Sequence, residues 1–163
     1  MEDLKKLYEF RVKDTMMPFE DFVRHEIRKS FQGLFDGRDF FIRYIKDWDE
    51  VKKKYGEVIY KPEGYAKIRA KIIDDSESLF TPCVYKVADV EFIEGQRLHG
   101  LKEIASFRGR FCEQAKNDEV VIAQGKVERV ITRDGDYHRI LLGSRVMDFM
   151  ISITPNLTSD LNK

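Results

Sequence analysis

The stretch Tyr65-Ala66-Lys67-Ile68-Arg69-Ala70-Lys71-Ile72 puts a small or apolar residue at every even position, and an aromatic ring and three cations at the odd ones. A period of two marks a strand with one face in a core and the other in water. It decides the fold because the pattern before it is different. Phe19, Phe22, Val23, Ile27 and Phe31 recur at helical spacing. Pro18 suits a first helical turn, Glu20 and Asp21 suit the positive end of the helix dipole, and Arg28 and Lys29 suit the other end. Gly33 is expected to stop this helix, and Leu4, Leu7 and Tyr8 predict a shorter one before it.

Residues 40–45 predict a short strand, and Asp47-Trp48-Asp49-Glu50 has the shape of a capping box. The helix it would open carries Trp48, Val51 and Tyr55 on one face and ends at Gly56. Beyond residue 64 short strands are expected at 84–87 and 90–93, and a long one at 120–132 with a bulge or bend at Gly125. Asp134-Gly135 signals a hairpin whose return strand is 137–142, and 149–153 is a further strand. Helices first and strands after predict an α+β fold. Its expected parts are a helical N-terminal third (1–63), a mainly antiparallel β-rich domain (64–154) with the makings of an OB-like barrel, and a flexible tail (155–163).

A chain of 163 residues, 42% hydrophobic and 36% charged, can bury a core without staples. It has no apolar run long enough for a bilayer, and residues 1–6 lead into charge instead of a signal peptide, so a cytoplasmic protein with no membrane partner is expected. Cys83 and Cys112 belong to no CxxC and read as reduced thiols. Net charge is zero but uneven: residues 38–71 hold ten Lys/Arg against six Asp/Glu, and residues 72–103 hold three against seven. Such a chain is no bulk polyanion binder, yet a local basic face remains open to one.

Strand geometry sets Tyr65, Lys67, Arg69 and Lys71 in one row roughly 7 Å apart, near the phosphate repeat of an extended single strand, with Tyr65 as a stacking face. An ordinary solvated strand face shows the same alternation. Ser106-Phe107-Arg108-Gly109-Arg110-Phe111 mixes arginines and aromatics about a glycine, so Arg108 and Arg110 join the nucleic-acid-binding candidates. Asp74, Asp75 and Glu77 follow the basic strand directly and are the candidate Mg²⁺ ligands, provided a bend makes them converge; otherwise they form a polar loop. His25, His99 and His138 are isolated in sequence, and neither a P-loop nor a GxGxxG occurs.

Together, Phe40-Phe41-Ile42-Arg43, Asp47-Trp48-Asp49-Glu50, Tyr60-Lys61-Pro62, Asp74-Asp75-Ser76-Glu77-Ser78, the 104–111 run and Gly125-Lys126-Val127-Glu128-Arg129-Val130 resemble the C-terminal region of archaeal predicted nucleotidyltransferases with a polymerase-β-like catalytic domain. The resemblance covers roughly residues 38–150. Members of that family carry Gly-Ser followed by an Asp-x-Asp pair that holds Mg²⁺. The single Gly-Ser of this sequence, Gly143-Ser144, is followed by one aspartate, Asp148, so no catalytic residue is carried over. The resemblance implies a non-catalytic module that binds nucleic acid or a nucleotide. The alternatives are a module that completes a catalytic nucleotidyltransferase domain or subunit in trans, and a Mg-dependent transferase built on Asp74, Asp75 and Glu77.

Overall fold

The computed structural model describes residues 2–11, 18–28, 32–51 and 56–153. Two ten-residue helices open the chain, α1 (Glu2–Arg11) and α2 (Phe19–Arg28), each with two acids in its first turn. They meet through Tyr8, whose ring lies edge-on to Phe19 and Phe22 with centroids 5.4 and 5.5 Å away. A separate hairpin follows, β1 (Gln32–Phe35) paired antiparallel with β2 (Arg38–Phe41). Among the described residues, then, helix in the first third is confined to α1 and α2. Asp36 and Gly37 both take positive φ at the hairpin tip, and Asp-Gly is the pair such a turn favours. That signal outweighs Gly33, which lies inside β1 and stops no helix. The expected 40–45 strand is accordingly 38–41. Asp47 N–H does donate to Glu50 Oε2 at 2.8 Å, but over a single 3₁₀ turn, Trp48–Glu50. Residues 29–31, Tyr55 and the tail 155–163 lie outside the described residues.

Strands dominate the rest: β3 (Ile59–Asp74), β4 (Cys83–Gly95), β5 (Leu101–Ser106), β6 (Val120–Thr132), β7 (Gly135–Leu142) and β8 (Phe149–Ser152), with a 3₁₀ turn at Gly109–Phe111. The molecule is α+β and mostly strand. β3 pairs with β4, β4 with β5, β5 with β7, β7 with β6, and β6 with β3 again. All are antiparallel except β5–β7, and β8 joins β6 below β7. The even positions of β3 behave as their alternation predicts: Ala66, Ile68, Ala70 and Ile72 are buried with Tyr85, Ile104, Val121, Val127 and Ile140 in one core.

Several elements differ from expectation for local reasons. β3 starts at Ile59, ahead of the strict alternation, because its register shifts between Pro62 and Tyr65, where a proline can sit without breaking the ladder. β4 is one strand instead of two, bent where Asp89 takes a φ of 52°. β5 has no alternation to announce it, since Ile104, Ala105 and Ser106 are buried in succession. Gly125 marks no bulge. The β3–β6 register runs straight through it, and a Cβ there would stand 2.7 Å from the Leu141 carbonyl. No helix among the described residues is long and apolar enough to cross a membrane.

Candidate nucleic-acid interface

The odd residues of β3 face outward as a row, and cross-strand pairing decides what that row can do. In the register, Lys67 stands beside Glu94, Arg69 beside Glu91 and Asp74 beside Lys86. The basic and acidic segments of the sequence therefore lie side by side. Lys67 pairs with Glu94 at 3.2 Å and Lys71 with Asp118 at 2.8 Å. Arg69 is the one cation of the row with no ion pair among the described residues. Exposed pairs of this kind are worth little in stability, but each lysine must leave an acid before it can hold a phosphate.

The three carboxylates do not converge. Asp74 bonds Lys86 at 2.6 Å and accepts the Ser76 N–H at 2.9 Å, which together hold its carboxyl far below the usual range. Asp75 faces Lys116 at 3.5 Å, and Glu77 pairs with Lys46. Each answers a different lysine, and among the described residues no group of three His, Cys, Asp or Glu could hold a metal.

Tyr65, Arg108 and Arg110 are drawn to the same end of the sheet. Ser106 sits at the join: its Oγ donates to the Leu142 carbonyl and accepts the Arg108 N–H, both at 3.0 Å. One hydroxyl thus fixes the start of the arginine segment to the end of β7. Tyr85, fully buried, donates to the Phe111 carbonyl at 2.5 Å and accepts the Gln114 N–H at 3.0 Å, anchoring the far side of the same segment. Phe111 is buried beneath it, and the Arg110 guanidinium lies 4.7 Å from its ring. Gly143 (φ +88°) lets the other loop close in, since a Cβ there would stand 2.5 Å from Arg108 Cγ.

The 143–148 loop is folded around Asp148, which is 1% exposed. Asp148 Oδ2 accepts the N–H groups of Ser144 (2.7 Å) and Arg145 (2.9 Å), and Oδ1 accepts the Tyr65 hydroxyl at 2.7 Å. The Arg145 guanidinium then lies over the Tyr65 ring, 3.9 Å from its centroid. Burial, followed by the Asp148 bond and charge, pushes the Tyr65 phenol up to about 12. Burial also lowers the Arg110 guanidinium; Arg108 adds to that and Asp148 opposes it. Sequence reasoning finds Tyr65, Arg108 and Arg110 but treats Gly143–Asp148 only as an incomplete catalytic motif. The usable signal is the pair Gly143 and Asp148, a turn-permitting glycine followed by a carboxylate able to cap the loop.

The chain is 36% identical over 141 residues to the uncharacterized protein MJ1086 of Methanocaldococcus jannaschii. The match covers 86% of this chain and 40% of that relative's length. No protein-family model matches the sequence, and no solved structure matches it.

Proposed function

We propose that this chain is a non-catalytic module that binds nucleic acid or a nucleotide in the cytoplasm, related to the C-terminal region of predicted nucleotidyltransferases. The observation that carries this reading is the gathering of Tyr65, Arg108 and Arg110 with Arg145 at one end of the sheet, where among the described residues no carboxylate forms an ion pair with any of the three arginines. Guanidinium groups are forked donors matched to phosphate oxygens, and aromatic rings accept bases of any sequence. The strand order supports an OB-like barrel, because the pairings return to β3 and the fifth strand of the ring, β7, runs parallel to the third, β5. On β4 and β5, whose outer surface is a common ligand face in such barrels, Lys86 is spent on Asp74 and Glu103 on the Tyr137 hydroxyl, and the exposed Asp89 and Glu91 are acidic. Binding is therefore assigned to the arginine end, with Lys67, Arg69 and Lys71 as a weaker extension.

Anisotropy with labelled single-stranded RNA and DNA at several salt concentrations tests the assignment. Arg108→Ala with Arg110→Ala weakens binding and flattens the log–log salt slope by about 0.7 for each phosphate no longer neutralised. The Lys67→Ala, Arg69→Ala, Lys71→Ala triple variant has the smaller effect. Absence of binding at low salt removes the reading.

A second reading rests on the hairpin. Phe35 and Phe40, on one face of it, are 78% and 40% exposed, and Phe41, on the other, is 64% exposed, apolar side chains of the kind that dock a protein partner. A catalytic nucleotidyltransferase domain or subunit is the partner the resemblance implies.

A further inference from the structure

Arg108, Arg110 and Arg145 come from two loops on different connections that pack together at Gly143, and one of those loops holds the buried Asp148. Both oxygens of Asp148 are occupied by the Tyr65 hydroxyl and two backbone N–H groups. It therefore supports the loop and supplies a negative charge at a distance, without pairing directly with a guanidinium. Three arginines and one aspartate on these two adjoining loops sum to a charge of +2. Holding like charges together costs free energy that a bound anion would return.

A row of cations and a compact cluster select different ligands. A strand's phosphodiesters carry one charge each and are spread along its length, whereas a terminal phosphate carries about −1.5 to −2 on a single group at pH 7. The cluster fits the second. The surface beside it is apolar and open: Phe107 is 58% exposed, Val146 70% and Met147 61%, each next in sequence or nearly so to one of the arginines. Large exposed apolar side chains flanking unpaired guanidiniums provide a stacking surface next to an anion site.

We propose that Arg108, Arg110 and Arg145 form a site for a terminal phosphate, the phosphomonoester or polyphosphate end of a nucleotide or of a nucleic-acid strand, with Phe107, Val146 and Met147 receiving the adjoining nucleoside. This deepens the nucleotide-binding reading and rests on it. Ser106 and Tyr85 hold the backbone of one loop and Asp148 that of the other, which limits the ordering cost of binding.

The test uses the full chain and single-stranded oligonucleotides of one sequence, ending in a 5′-phosphate, a 3′-phosphate or hydroxyls at both ends, with pyrophosphate, AMP and ATP as competitors. One phosphorylated end is expected to bind about tenfold tighter than the hydroxyl-ended strand. Arg145→Ala and Arg110→Ala remove that gain, while Arg145→Lys, which keeps the charge and the loop, retains part of it. Circular dichroism confirms that each variant is folded. Competition by ATP or AMP at lower concentration than by phosphorylated strands identifies the free nucleotide as the source, and the reverse order identifies the strand end. Equal binding of all ends, with no competition by pyrophosphate or nucleotides, overturns the terminal-phosphate site and leaves nucleic-acid binding standing. No binding of any oligonucleotide or nucleotide overturns both.

Discussion

The Tyr65 hydroxyl donates to Asp148 Oδ1 at 2.7 Å, joining residues 83 positions apart in the chain. The bond ties the first long strand of the sheet to the loop between β7 and β8. It also determines where the arginines stand, because the same carboxylate folds the loop that carries Arg145 onto the Tyr65 ring.

Tyr65→Phe leaves Asp148 Oδ1 buried without its donor and is expected to cost about 1–3 kcal/mol in a denaturant titration. The same variant has an alkaline signature. The Tyr65 phenol holds its proton to about pH 12 in the folded protein, above its ordinary range near 10 in the unfolded chain. Its contribution to stability is therefore complete below that ordinary range and is lost as pH rises through about 12. Tyr65→Phe removes this high-pH step from the tyrosinate absorbance titration and flattens the alkaline loss of stability. Loss of a step near the ordinary tyrosine range of about 10 instead would show that the hydroxyl is solvated.

Asp74 gives the opposite sign. The Lys86 bond, then the two Ser76 bonds, hold its carboxyl below the ordinary value. The stability it contributes is present above the unfolded carboxylate range and declines as pH falls toward its depressed folded value. Lys86→Ala moves the Asp74 midpoint upward, read from its side-chain carboxyl carbon by NMR. Millimolar Mg²⁺ leaves the Asp74, Asp75 and Glu77 signals in place, because each carboxylate is committed to its own lysine. A saturable shift of all three together would restore the metal site.

Gly125→Ala tests the close approach of β6 to β7. The added Cβ meets the Leu141 carbonyl at 2.7 Å and Ile140 Cγ2 at 2.9 Å, atoms of a buried strand with little room to move. Overpacking of this kind costs about 1–3 kcal/mol. The midpoint of urea denaturation falls accordingly, whereas a glycine that merely supplied a bend would tolerate alanine with little loss.

Local patterns set what is legible in the chain alone. The alternation at 65–72 and the long 120–132 strand are short-range and appear where the residues place them, whereas the hairpin signalled by Asp134-Gly135 turns one residue earlier, at Arg133-Asp134, and its return strand starts at Gly135, not 137. The N-terminal hairpin escapes such a reading because the helical spacing of Phe19–Phe31 draws Gly33 into the wrong role, although Asp36-Gly37 carries the correct signal. β5 escapes it because a strand buried on consecutive residues leaves no period to detect.

The sequence by itself determined which residues of β3 would face the core and which the solvent, since a strand's side chains alternate whatever it pairs with. It also placed Arg108 and Arg110 on either side of a glycine, Gly109. It did not determine that Lys67 would sit beside Glu94, or that Asp74, Asp75 and Glu77 would be divided among three lysines. Those outcomes depend on register and on loop packing between distant segments. The same is true of the arginine cluster. Arg145 joins Arg108 and Arg110 only because Ser106 bonds both β7 and the Arg108 backbone, and because Asp148 is buried where Tyr65 can reach it. Charge can be counted along a chain, but whether a charge is free to bind depends on which opposite charge the fold places within a few ångströms of it.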